Sequence, residues 1–418
     1  MGVILLFLYI FNFNIIKGVP FSESSFIVLG ILLIKCLMDD QCNNSVFQFL
    51  NQKQNKHVLA LFFICIILST VIPLIQFTFD FSYFKTLIHQ LIILITGYLL
   101  VGYFQWKKLN IIDSTIKCFF LQSIIQFACF ISPTFLKLTD MFRSDELIAI
   151  RNRSYRGFRG LAISGSGFFG LAVSYAVLFV LLAFYLDKWK KPISIKMIAV
   201  VFLIFGAISA GRTASIGVLI FVVVYLYRSA KQFNKNTVRN IGLVLALATF
   251  FVLLLKGPVI RYLNNSQSWS YMRYYLLQFA ENDSTGQGAN INNITSLSHM
   301  FNDMYFTLSP KQVIFGDGMF TGVDGKYYMH TDVGIMRNLL FYGIFGTIAL
   351  YYYHYRLIFI NADNQKKIAL ARLLFLLTAI MEIKGQTMGF LIISQSLLLV
   401  ICSSYEKIYQ EEDVIARS

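Results

Sequence analysis

Long apolar runs, separated by short polar connections, recur along the whole chain, and this pattern leaves a helical bundle in a bilayer as the only reasonable fold. The runs cover 3–16, 26–38, 57–77, 84–104, 111–131, 161–186, 193–210, 213–227, 241–255, 333–353, 368–380 and 388–403. Read against the length a helix needs to cross hydrocarbon, they predict an all-α integral membrane protein with about twelve transmembrane helices. The first run is short for a span, but it has neither a basic start nor a small-residue cleavage pattern, so it reads as a helix rather than a secretory signal. The expectation is a single polytopic membrane domain over 1–418, with outer segments at 132–160 and 257–332, the second lying between spans nine and ten and carrying short surface helices.

Composition excludes the soluble alternatives. The chain is 57% hydrophobic and only 14% charged, where a soluble domain is about a quarter charged. A net charge of +15 would point to nucleic acid in a soluble protein. Here most Lys and Arg lie between apolar runs, where orientation and anionic membrane lipid account for them, so no nucleic-acid partner is expected. Cys36, Cys65, Cys118, Cys129 and Cys402 fall in or at the ends of apolar runs and Cys42 in a connecting loop, with no spacing that suggests zinc or a disulfide framework.

Basic residues in the short loops orient the chain. Placing both termini in the cytoplasm puts Lys53, Lys56, Lys107, Lys108, the basic stretches 188–196 and 228–239, and Arg356 through Arg372 inside. The long outer segments then hold Arg for which the charge rule gives no reason. The first carries Arg151, Arg153, Arg156 and Arg159 in quick succession, all Arg and none Lys, which suits bidentate binding of phosphate or carboxylate. The plain alternative is a solvated loop pairing with Asp140, Asp145 and Glu146.

A second cationic position is the turn SAGRTASIG at 209–217. No acidic residue occurs between Asp187 and Glu281, so Arg212, Arg261 and Arg273 have no acidic neighbour in sequence. A cation near a span centre costs about 2.5 to 3.5 kcal/mol, so Arg212 either snorkels to headgroups or faces an anion held by the protein. Trp269, Tyr271, Tyr274 and Tyr275 suit a surface helix or a sugar-stacking face, and a further surface helix is expected at 296–307, closed by Ser309 and Pro310. Beyond it, the glycine-rich IFGDGMF leads to HTDVGIMRNLLFYGIFG. There Arg337 sits within an apolar helix with Val333, Gly334, Leu340 and Phe341 at its helical neighbour positions, and so needs a partner from elsewhere.

The order of an Arg-bearing outer loop, a SAGRT turn, a large outer loop ending in SPKQVIFGDGMF, and HTDVGIMRNLLFYGIFG at the next span resembles the bacterial O-antigen polymerases of the Wzy type and their relatives, the O-antigen ligases. The likeness covers roughly Arg143 to Tyr353. The polymerases' pairing of an Arg with a following Gly is met by Arg156 with Gly167 and Arg159 with Gly170. Gly343 and Gly346 fit the end of the ligase helix motif, but the ligase spacing lands on Asp332, with His330 two residues early, which favours polymerase over ligase.

The resemblance implies a membrane glycosyltransferase of the GT-C class in a bacterial cytoplasmic membrane, acting at its outer face. Such an enzyme joins an undecaprenyl-diphosphate-linked glycan donor to the hydroxyl of a lipid-linked acceptor unit, with inversion; a polysaccharide chain-length regulator is a plausible partner. A diphosphate already activates the sugar, and arginines can stabilise its departure, so no cofactor and no metal are expected. Arg212, Arg273 and Arg337 are the expected diphosphate ligands, with Arg153, Arg156 and Arg159 joining them or gripping the acceptor. Asp332 or His330 is the expected catalytic base; the plain alternative has Thr331 capping the tenth span with Asp332 in its first turn. The rival readings are the ligase and a lipid-linked oligosaccharide flippase, the latter on the strength of Lys35, His89, Lys117 and Glu382 in or beside spans.

Overall fold

The computed structural model describes residues 1–19, 22–154, 159–231 and 300–404. In chain order the helices among them are α1 (Gly2–Phe11), α2 (Ser24–Met38), α3 (Asp40–Asn51), α4 (Lys53–Ile75), α5 (Ser82–Trp106), α6 (Ile111–Ile131), α7 (Pro133–Asp140), α8 (Asp145–Ser154), α9 (Phe169–Tyr185), α10 (Ile193–Ala210), α11 (Ala214–Lys231), α12 (Pro310–Phe315), α13 (Gly334–Ile358), α14 (Gln365–Glu382) and α15 (Ile392–Cys402). The described residues contain no strand, only isolated bridges from Asn14 to Glu23 and from Thr321 to Tyr327. Helix is what hydrocarbon demands, because every backbone donor and acceptor must then be satisfied within the segment.

Among the described residues five helices, α4, α5, α6, α10 and α13, are long and apolar enough to cross a bilayer. The 23 residues of α4 rise through about 35 Å. Shorter apolar helices account for the runs at the start of the chain and for those of α2, α9, α11 and α15, while α14 carries the 368–380 run. The run at 241–255 lies outside the described residues. On α4, Val58, Phe62, Cys65, Ser69 and Pro73 turn inward while Phe63, Ile64, Ile67, Val71 and Leu74 are exposed, a greasy outer face that suits lipid.

Several connections differ from the sequence expectation. Cys42 lies in α3 and not in a loop: Asp39 caps this helix by accepting from the N–H groups of Gln41 and Cys42, and Cys42, Val46 and Phe49 form its buried stripe. The segment 132–160, expected as an outer loop, contains α7, capped by Ser132 with Pro133 in its first turn, and α8. Of the surface helix expected at 296–307, the described part is one π-helical turn, Met300–Met304. Ser309 and Pro310 open α12 through a reciprocal Ser309–Gln312 capping box. Finally, α13 starts one residue beyond Val333 without a side-chain cap, so Asp332 precedes the helix; Thr331 Oγ1 accepts from the Val333 N–H and donates to the Met304 carbonyl.

The described residues fall into two compact units, one drawn from Met1–Ile10, Ser24–Thr115 and Asn290–Ser418, the other from Phe11–Glu23 and Ile116–Ala289. In the second unit α9 is buried on all sides, and Gly217 of α11 lies directly on the Ala176 backbone, so close that a methyl group would not fit. Tyr175 donates to Gln126 at 2.7 Å and shares a 2.9 Å bond with Ser123, closing the polar groups at that core.

Two breaks in regular structure shape the first unit. Helix α13 is interrupted at Gly343 (φ 64°, ψ −173°), a conformation reserved for glycine, and the loop end of α12 packs into the interruption with Gly316 against the Phe341 carbonyl. The Asp317 N–H donates at 2.6 Å to Leu340, and Thr347 donates to the Gly343 carbonyl at 2.7 Å, so carbonyls at the break are re-satisfied. Gly343→Ala should lower stability by about 1–3 kcal/mol, from backbone strain together with the clash against the Ile314 carbonyl, read as a fall in the detergent-solubilised unfolding temperature. An unchanged temperature would mean that the break relaxes without cost.

The second interruption is the non-helical stretch between α14 and α15. Glu382 accepts from the Thr387 and Met388 N–H groups at 2.6 and 2.7 Å, the Gly389 N–H points at His354 Nδ1 at 3.4 Å, and Gln90 donates to the Phe390 carbonyl. Irregular backbone survives inside an apolar bundle only when its polar groups are taken up in this way.

Candidate functional site

The glycine-rich loop after α12 is strapped to the start of α5. Asp80 Oδ2 accepts from the N–H groups of Phe320 and Thr321 at 2.7 and 2.8 Å, while Oδ1 takes the hydroxyl and N–H of Ser82. Thr78 adds a 2.8 Å bond to the Gly318 carbonyl. Partial burial pulls the Asp80 carboxyl upward, but these hydrogen bonds from Ser82, Thr321 and Phe320 outweigh it and hold the group below the ordinary carboxylate value. The sign follows: the strap is fully engaged above the unfolded carboxyl value of about 3.9 and is lost as pH falls through the lower folded value. Amide exchange in 318–328 should therefore stay protected down to about pH 4 and rise below it; protection already lost near pH 6 would show that Asp80 does not hold the loop.

This strap delivers Phe320 and Tyr327 to Arg337. The guanidinium lies 3.6 Å from the Tyr327 ring centre, 4.0 Å from Phe320 and 5.6 Å from Phe390. Desolvated cation–π contacts of this kind contribute about 2 kcal/mol. The partner that Arg337 requires is thus largely a set of aromatic faces. Tyr83, Asp332 and Glu382 act on it electrostatically. Arg337 is nevertheless only 5% exposed, and its Nε and Nη2 are buried without a hydrogen-bond partner among the described residues. Leaving buried donors unmet costs about 1–3 kcal/mol each.

Beside Arg337, Asn338 begins a buried polar chain. Asn338 Nδ2 donates to Glu382 Oε1 at 2.9 Å, and Tyr351 donates to the same oxygen at 3.2 Å. Gln386 Nε2 donates to Asn338 Oδ1 at 2.6 Å and to the Tyr83 hydroxyl at 3.1 Å. Tyr83 packs on Phe320 and Phe390 at ring separations of 4.7 and 5.4 Å, which joins this chain to the aromatic walls around Arg337. Gly334 faces Glu382 so closely that a methyl group there would overlap the carboxylate.

His330 and Asp332 lie on the same segment but differ in surroundings. His330 is 70% exposed, with Nδ1 3.7 Å from Asp324. Asp332 is exposed and is close enough to influence Arg337 electrostatically. In the second unit Arg159 and the SAGRT turn come together: its guanidinium approaches the Ala210 carbonyl at 3.4 Å, lies against Gly211, next to Arg212, and sits 5.5 Å over Phe168. Arg212 is half-buried in that turn and Arg153 is exposed. Arg156 and Arg273 lie outside the described residues.

Arg151 pairs with Asp140, as the plain alternative has it, but is buried rather than solvated. It binds Asp140 through both terminal nitrogens at 2.6 and 2.8 Å, while Arg143 shares that carboxylate and also donates to the carbonyls of Leu161 and Ala162. Burial pulls the Asp140 carboxyl up, but Arg151 and Arg143 outweigh it and leave the group below its ordinary value. This trio ties α7 and α8 to the chain entering α9. Sequence reasoning missed the structural roles of Asp80, Tyr83, Asn338 and Gln386; the available signal was the polar interruption EIKGQT between two apolar runs. No group of three or more His, Cys, Asp or Glu able to hold a metal occurs among the described residues.

Fold and site together define a helical membrane protein with a buried, aromatic-walled arginine at a glycine-broken helix. Comparison with protein-family models, curated proteins and solved structures returns no match.

Proposed function

We propose that this protein polymerises polyprenyl-diphosphate-linked oligosaccharide repeat units into a surface polysaccharide, as an inverting enzyme that needs no metal, with about twelve spans and its site on the outer face of a bacterial cytoplasmic membrane. The observation that carries the reading is Arg337, buried among aromatic rings with two guanidinium nitrogens unbonded among the described residues. Such a group is preorganised for an anion, and in a low-dielectric site it stabilises a departing diphosphate far more than water would.

In the proposed step the acceptor hydroxyl oxygen bonds to the anomeric carbon as the bond from that carbon to the diphosphate oxygen breaks. The electron pair leaves with polyprenyl diphosphate, and the hydroxyl proton passes to Asp332 or His330. Arg212 and Arg273 are proposed as diphosphate contacts, with Arg153, Arg156 and Arg159 contacting phosphate or gripping the acceptor. The test is incubation of purified protein with synthetic undecaprenyl-diphosphate repeat units in the presence of a chelator. A ladder of products is expected; its absence with every repeat unit offered would sink the reading, and native-rate ladders from both Asp332→Asn and His330→Ala would remove those two as bases.

A flippase for the same lipids is the second reading, favoured by the discontinuity of α13 at Gly343, since broken helices mark transporter sites. Against it, both oxygens of Glu382 are held by protein donors, which ties this acidic residue to the fold. A deletion strain separates these readings: single capped repeat units mean polymerase, polymer left on its lipid carrier means ligase, and uncapped core with internal accumulation means flippase.

A further inference from the structure

The hydrogen-bond directions around Arg337 specify more than an anion. Glu382 can only accept as a carboxylate, and its Oε2 is held by the N–H groups of Thr387 and Met388. Oε1 therefore draws the amide nitrogen of Asn338, which turns the Asn338 carbonyl the other way, and Gln386 must meet that carbonyl with its own nitrogen. The second N–H of the same amide serves the Tyr83 hydroxyl. With Glu382 ionised and Oε2 held by the backbone, each choice in this chain follows from the one before it. Its result is that Gln386 Oε1 is left as an acceptor, and this oxygen is buried without a donor among the described residues, on a side chain only 5% exposed.

This buried cluster thus holds two donors, Arg337 Nε and Nη2, and one acceptor, Gln386 Oε1, without a partner among the described residues. Both side chains border the same aromatic walls: Gln386 bonds Tyr83, Tyr83 packs on Phe320 and Phe390, and Arg337 lies over those two rings. A bare phosphate or a lipid tail would leave Gln386 Oε1 unanswered. A ligand that answers both carries an anionic oxygen and, a short distance away, a hydroxyl or amide N–H. Tyr327, half exposed at 50%, lies over Arg337.

We propose that Gln386 is a specificity-determining residue that accepts a hydrogen bond from a sugar hydroxyl or N-acetyl N–H of a glycosyl diphosphate whose phosphate is held by Arg337. This rests on the diphosphate reading above and narrows it, since Gln386 then recognises the sugar next to the phosphate and not the phosphate alone.

Equilibrium binding to the full-length protein in detergent tests it with defined probes: farnesyl diphosphate, and the same diphosphate bearing glucose or N-acetylglucosamine. The native protein should bind a sugar-bearing probe at least about tenfold more tightly than farnesyl diphosphate, the value of one buried hydrogen bond otherwise left unmet. Gln386→Met, similar in volume but with no strong acceptor, should bring the ratio of the sugar-bearing to the bare affinity to about one, whatever the lost contacts to Asn338 and Tyr83 do to both affinities. Arg337→Ala should weaken all the probes. Equal affinity of the native protein for sugar-bearing and bare probes would overturn the proposal without recourse to any variant, as would an advantage that survives Gln386→Met. If no probe binds the native protein, or Arg337→Ala leaves every affinity intact, the diphosphate reading itself falls and this one with it.

Discussion

Arg337→Ala should abolish long polymer in a deletion strain complemented with the variant, while the amount of protein in the membrane stays at the native level. Loss of one preorganised donor to a developing oxyanion costs about 10²–10³ in rate, and here the lost group would carry full charge and two donors unbonded among the described residues, between aromatic rings. Arg337→Lys should recover only a small part, because a single ammonium cannot present the planar fork that lies over Tyr327 and Phe320. The readout is the glycan ladder on a gel beside an immunoblot of the membrane fraction. Polymer of native length and amount from the Ala variant would take Arg337 out of the site.

Replacing Glu382 should have the largest effect on the fold. Its carboxylate is 1% exposed and accepts from Thr387, Met388, Asn338 and Tyr351, so it supports both the non-helical stretch before α15 and the orientation of Asn338. Glu382→Ala strips these donors of their acceptor inside the bundle and should cost about 3–5 kcal/mol, the range for breaking a buried charged network. Phe390, which contacts the Arg337 guanidinium from that stretch, would lose its placement, so polymerisation should fail as well. Glu382→Gln is the sharper variant. It keeps the volume, but one end of the carboxamide must point its own N–H groups at donors. A loss of about 1–3 kcal/mol is expected from it. Thermal unfolding of the purified variants measures both effects, and a Gln variant as stable as the native protein would show that the carboxylate is not the hub of the network.

How far the sequence could be read depended on how locally each property is encoded. The runs 111–131 and 193–210 coincide with α6 and α10, because helix and membrane insertion both follow from the apolarity of one contiguous stretch. Cys42 was misplaced although its stripe with Val46 and Phe49 has helical spacing, because the remaining residues of α3 are polar and short apolar signals are weak. Arg337 stood out as a cation without a local partner, whereas Glu382 read only as an oddity near a span end. The break at Gly343 was invisible, since a glycine in an apolar run has many uses and only the carbonyl of Ile314 lying against it shows which one applies.

Sequence alone determined that this chain is a helical membrane protein and that arginines gather in its connecting segments, since hydropathy and charge add up along the chain without reference to distant partners. Tertiary structure decided which polar groups meet. Tyr83 and Asn338 are 255 positions apart and Gln386 and Asn338 are 48 apart, yet the direction of each amide, and so the chemistry offered beside Arg337, is set only where they touch. Inside an apolar bundle a hydrogen bond that must be made dictates the next one, and that chain of necessity exists in three dimensions only.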